Sequence, residues 1–175
     1  MNPMSWVRRL LGREDVPDAV ARGLVADERV LAAATLDDGA RLVVTSHGLW
    51  LPEGEGARRV GWHLVSKATW RGGVLTLVEA EEGETIGAAV LLSDLPPRRL
   101  RLAEPGRAPE AVQARVEGSI RSRHRRELPG GGAWFVQRKV PGRDGTVLQV
   151  RPDPGTDPAV VRQVVTDVER TLGRA

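Results

Sequence analysis

Three histidines, His47, His63 and His124, are the first places to look for chemistry in this chain, and none has the company that chemistry requires. A metal centre needs a second histidine, a cysteine or a carboxylate at ligand spacing, and no such partner stands near any of the three in sequence. Cysteine is absent, which removes disulfides, thiol nucleophiles and thiolate ligands together. Ser46 and His47 are adjacent, but neighbours on a strand point to opposite faces and make no nucleophile–base pair. Gly118-Ser119 lacks the flanking residues of a nucleophile elbow and falls within a helical pattern. Gly130-Gly131-Gly132 has no Lys-Ser or Lys-Thr after it, so it is no phosphate cradle. The carboxylates of Glu81-Glu82-Gly83-Glu84 read as a solvated turn. No catalytic residue, cofactor or metal is assigned, and an enzyme whose site is hidden in the sequence is the third choice of function.

Basic side chains carry the stronger signal. Arginine supplies 24 of the 26 basic residues, and because guanidinium groups stay charged to very high pH, the pI of about 10.4 overstates a net charge of only +3. Residues 1–105 hold 13 basic and 15 acidic side chains, whereas 106–175 hold 13 and 8. Within 115–139, Arg115, Arg121, Arg123, Arg125, Arg126, Arg138 and Lys139 face only Glu117 and Glu127. These seven residues are the expected partner-binding surface. The segment 121–126 is expected at the C-terminal end of a helix, where the macrodipole favours cations.

The elements that must position these groups follow from the hydrophobic period. Met4, Val7, Leu10 and Leu11 share one helical face; Trp6, Leu10 and Leu11 are expected to pack on the sheet and leave Arg8 and Arg9 in water, the alternative being a weak membrane-surface or partner anchor. Asp15-Val16-Pro17 resembles a helix start, with Val20, Leu24 and Val25 as its buried face. From Arg29 the pattern turns strand-like: runs at 30–36, 41–45, 49–51, 58–62, 63–70, 74–78, 86–92 and 98–102 are separated by turns such as Asp37-Asp38-Gly39 and Arg71-Gly72-Gly73. The alternation in Arg98-Arg99-Leu100-Arg101-Leu102 suits a half-exposed edge strand. Trp50, Trp62 and Trp70 lie on strands and are expected in the core or at its rim, and of Trp134-Phe135 one side chain should face inward. Pro109 opens a helix with Val112, Val116 and Ile120 on one face. The glycine-rich loop at 129–132 ends it and marks a module boundary. A hairpin around Arg143-Asp144-Gly145 and a last helix, capped by Asp157-Pro158 with Val161, Val164, Val165, Val168 and Leu172 as its apolar face, complete the chain.

About seven strands closed by one amphipathic helix resembles the pleckstrin-homology superfold in its bacterial versions. The stretch Val30–Leu51 looks like the first strands of that fold, and Val60–Ser66 with Gly72–Leu77 like its fourth and fifth. The segment 112–120, then 129–132, a strand pair and Asp157-Pro158 is similar to a family of actinobacterial cytoplasmic proteins that has no established activity. The resemblance implies an α+β fold: a helical lead over 1–27, an antiparallel barrel or sandwich with its capping helix over 28–127, and a hairpin–helix extension over 128–175 packed on the same core. The basic first loop that binds inositol lipids in some relatives is acidic here, at Asp37-Asp38-Gly39.

The expected function is a non-catalytic cytoplasmic binding or scaffold module that docks a protein partner through its sheet edges or the 115–139 surface. The alternative is an anionic partner, nucleic acid or an acidic membrane surface contacted peripherally. No run approaches the ~18 apolar residues of a transmembrane helix.

Overall fold

The computed structural model describes residues 16–173. The expectations for Met4–Leu11, for Trp6, Arg8 and Arg9, and for Asp15 as a cap lie outside them. Among the described residues the chain is α+β with a mostly-sheet core: eleven strands, three α-helices and one 3-10 turn.

Helix α1 (Asp18–Gly23) precedes β1 (Val30–Leu36), β2 (Arg41–Thr45), β3 (Gly48–Glu53) and β4 (Gly56–Gly61). A 3-10 turn, Trp62–Leu64, then leads into β5 (Val65–Arg71), β6 (Val74–Ile86), β7 (Ala89–Asp94) and β8 (Arg98–Glu104). Helix α2 (Ala108–Ser119), β9 (Ile120–Leu128), β10 (Gly131–Lys139), β11 (Thr146–Pro152) and helix α3 (Pro158–Leu172) follow. The hydrogen-bonded order is β4-β3-β2-β1-β8-β6-β7-β11-β10-β9, with β5 also on β6. Among the described residues the sheet is open: β4, β5 and β9 each pair on one side only. Every pairing is antiparallel except β7 with β11.

Three apolar clusters explain this path. The first strands curl around Leu42, Val44, Leu49, Leu51, Val60, Trp62, Leu75 and Leu77, and α2 inserts Ala108, Val112 and Val116 into the same cluster. On the opposite face of β2 and β3, Val43 and Trp50 meet Val20 of α1. Strand β2 is therefore buried on both faces, which accounts for its unbroken apolar run. Gly23 belongs in α1 for a steric reason: a Cβ there would lie 2.5 Å from the Trp50 ring. Val25 stays exposed, because the chain leaves the helix at Leu24. The third cluster unites Phe135, Ala133, Val150 and Ala89 with Val161 and Val165 of α3. The hairpin–helix unit thus has its own apolar cluster, apart from the one that α2 covers. Asp157 caps α3, its Oδ1 accepting from the Ala159 N–H at 2.9 Å.

Trp62 is buried as expected but lies in the 3-10 turn rather than on a strand, and three further expectations need correction. The residues Glu81–Glu84 do not turn: β6 continues to Ile86, since Val74–Leu77 pair with β8 and Ala80–Ile86 pair with β7 across a bulge. The real turn is Gly87-Ala88, where Gly87 takes φ +60° as a tight hairpin requires. Strand β8 is not an edge; it lies between β1 and β6, and its alternation reflects buried Leu100 and Leu102 against exposed Arg99 and Arg101. The helix expected to run through 121–126 stops at Ser119, where Ile120 is already extended. Nine residues of β9 instead pair along β10, and Pro129-Gly130 forms the turn, with Gly130 at φ +83°.

Candidate basic strand edge and its junction

Four of the seven nominated residues, Arg121, Arg123, Arg125 and Arg126, fall on β9 and are exposed. Register decides what each can do. Arg125 stands opposite Trp134 and Arg123 opposite Val136, so these four share a face, while Arg126 and His124 share the other with Ala133 and Phe135. Gln137 pairs with Ser122 and Arg138 with Ile120, which leaves Arg121 as the extra residue of a bulge. Of Trp134-Phe135, the phenylalanine is buried under α3 and the tryptophan is half-buried on the other face.

Trp134 lies beneath both arginines of its face, with the Arg123 and Arg125 guanidinium carbons 5.8 and 5.7 Å from the ring centroid. Arg125 is further committed: its two terminal nitrogens donate to Asp153 at 3.1 and 2.6 Å and its Nε to Glu127 at 2.7 Å. Those bonds, Asp153 first, raise the Arg125 pKa, and the same pair holds the Asp153 carboxyl below its usual value. Among the described residues, Arg121, Arg123 and Arg126 have no carboxylate partner. Arg151, opposite Trp134 on β11, pairs with Asp94 at 3.3 Å.

The other three nominated residues part company with this strand. Arg115 is half-buried on α2 and Lys139 ends β10, exposed. Arg138 is only 4 % exposed. Its five N–H groups are spent within the fold. Nε reaches Ser119 Oγ at 3.1 Å; Nη1 reaches the carbonyls of Val65 at 2.8 Å and His63 at 3.5 Å. Nη2 reaches Ser119 Oγ at 2.6 Å and the Val116 carbonyl at 3.4 Å. Those acceptors lie at the C-terminal end of α2 and around the 3-10 turn, so the negative end of the helix dipole faces a cation that has no carboxylate among the described residues. Burial, aided by the nearby charges of Arg151 and Arg123, brings the Arg138 pKa down to about 10.

Gln149 joins the same junction, its Nε2 donating to the His63 carbonyl at 2.7 Å. The His63 ring is mostly enclosed, and its Nδ1 is buried with no hydrogen-bond partner among the described residues. Burial lowers its pKa, Glu82 at 3.8 Å opposes that shift, and Arg138 and Arg143 add to it.

Two further polar features are structural. The Glu28 carboxylate is fully buried and accepts from Thr45 at 2.6 Å, from the Trp50 indole at 2.9 Å, from the Val25 N–H and from Arg59. Burial alone would push its carboxyl up, but these donors outweigh it and hold the group below its usual value. An open groove of about 540 Å3 between the β1–β2 turn, the β3–β4 turn and β8 carries both signs of charge. There Arg101 faces Asp37 at 3.6 Å and Arg98 reaches the Pro52 carbonyl at 3.4 Å, which leaves no uniform field for an anion. No group of three histidines, carboxylates or cysteines that could hold a metal exists among the described residues, and none of their helices is long and apolar enough to cross a membrane.

No family model matches the chain, and no curated protein or solved structure matches it either. Among the described residues the site is an unpaired strand edge flanked by guanidinium groups, held to the first strands by a buried arginine.

Proposed function

We propose that the chain is a cytoplasmic, non-catalytic binding or scaffold module that docks a protein partner along β9. The observation that carries this reading is the one-sided pairing of a nine-residue strand whose backbone donors and acceptors face outward at every second residue. The scaffold beneath it is proposed to be pleckstrin-homology-like. Support for that comes from the order β4-β3-β2-β1-β8-β6-β5 and from α2 covering the cluster these strands enclose. In this reading β7, β9–β11 and α3 are an elaboration that carries the docking edge.

Photo-crosslinking tests the docking reading. A photoreactive residue at Arg126, on β9, should give a discrete protein adduct in a native extract, whereas the same residue at Lys67, on edge strand β5, should not. Adducts of equal yield from both positions, or from neither, would defeat it. The three unneutralised arginines of β9 favour a second reading, a polyanion bound by charge alone. Its mark is an affinity that falls steeply with salt and is indifferent to the backbone of the partner.

A further inference from the structure

We infer that the partner of β9 is an extended peptide segment carrying two acidic residues three positions apart, added to the sheet as a further strand. This rests on the docking reading above and makes it specific.

Charge sets the first requirement. Arg125 is neutralised by Asp153 and Glu127, so the cations that remain on the regular part of the strand are Arg123 and Arg126. A second copy of β9 is a poor occupant, because it would bring a second Arg123 and Arg126 to the same edge without adding an uncommitted carboxylate, Glu127 being bonded to Arg125. An acidic strand has no such conflict.

Register sets the second requirement. The bulge at Arg121 breaks the ladder at one end, which leaves 122–128 as the regular edge. Arg123 and Arg126 lie on opposite faces of it, as their partners Val136 and Ala133 on β10 show. Side chains directly opposite across a strand pair share a face. The residues of an added strand opposite Arg123 and Arg126 are therefore three apart, whether that strand runs parallel or antiparallel. Carboxylates two apart would sit on one face and meet only one of these arginines.

Stacking argues against a nucleic acid at the same place. Single-strand binders offer aromatic rings to the bases. Here the one aromatic side chain on the exposed face of the β9–β10 pair is Trp134, and Arg123 and Arg125 already lie over it.

The test uses the full chain and labelled octapeptides of one composition, rich in valine and threonine, with two glutamates spaced either three or two apart. Binding is read by fluorescence anisotropy and located by amide hydrogen exchange over 122–128. The three-apart peptide should bind more tightly by up to about fivefold, the value of one cross-strand opposite-charge pair. It should slow exchange at alternate amides of 122–128 and lose affinity when its own alternate amides are N-methylated. Arg126→Glu should remove the preference between the two spacings, and Arg126→Lys should retain it.

Equal affinity of the two spacings, with protection still confined to β9, overturns the acidic register and leaves strand docking standing. Absence of any protection over 122–128 with either peptide overturns both. If the N-methylated peptide or a single-stranded oligothymidylate binds as well as the three-apart peptide, the surface is a polyanion patch and the inference fails. Self-association of an Arg123→Gln, Arg126→Gln variant whose peptide affinity and spacing preference match the parent's would assign the arginines to guarding the edge, which also overturns it.

Discussion

Arg138 and Trp134 sit four residues apart on β10, on the same face of the strand, yet one is locked into the fold and the other faces solvent in part. Arg138 meets the exposed carbonyls at the end of α2, and its charge is tolerated there because every donor has an acceptor. Replacing it by methionine keeps most of the volume but removes the guanidinium donor from the Val65 carbonyl and a cation from the helix terminus. Arg138→Met should cost about 3 kcal/mol, read as a lower denaturation midpoint, and Arg138→Lys less, because an ammonium reaches fewer of the same acceptors. A methionine variant as stable as the parent would show that the buried charge contributes nothing net. His63 gives the pH dependence. Its folded pKa is lowered by burial, so the unfolded chain takes up the proton first as pH falls. Stability from this group is fully present above the ordinary value of 6.5 and declines as pH drops below it. His63→Gln should flatten the stability curve just below pH 6.5, where the unfolded chain takes up the proton before the folded one. Parallel curves for the two proteins would remove His63 as the cause.

At the scale of elements, α2 is the plug of the first cluster. Val112 is fully buried in the apolar cluster that α2 covers, so a carboxylate there would be stripped of water. Val112→Asp should lower stability by about 4 kcal/mol, seen as a melting temperature roughly 10 °C lower. A melting temperature within a degree or two of the parent would mean α2 does not seal the sheet. This helix was legible from its period and its first-turn proline, as were the Asp-Asp-Gly hairpin and the Asp157 cap. Strand β9 was not. An edge strand exposed on both faces has no apolar alternation to display, and arginines at 121 and 125 also fit a helical spacing. The double role of β6 was hidden as well, because Glu81–Glu84 has the composition of a turn and only pairing with β7 keeps it extended. Of the candidate site, sequence reasoning found the four arginines that share β9 but not the inward course of Arg138. Strand alternation puts Arg138 on the face of Trp134; only the position of α2 shows that this face is covered there.

For the whole molecule, the net charge of +3 matters less than its placement on one strand edge. Because β6 takes part in both halves of the sheet, and Arg138 and Gln149 tie β10 and β11 to the 3-10 turn, the halves share backbone and side-chain bonds. Unfolding should be a single cooperative event: the slowest amides of β2 and of β10 should exchange with the same free energy, measured by native-state hydrogen exchange. A gap of more than ~2 kcal/mol between them would define two independent units. The lone parallel contact, β7 against β11, has a consequence for synthesis. Ala89–Leu91 leave the ribosome well before Leu148–Val150, with β8, α2, β9 and β10 translated in between. Through that interval a nascent chain presents the flank of β7 bare, and this is the stretch where a strand from another unfinished chain would find its opening.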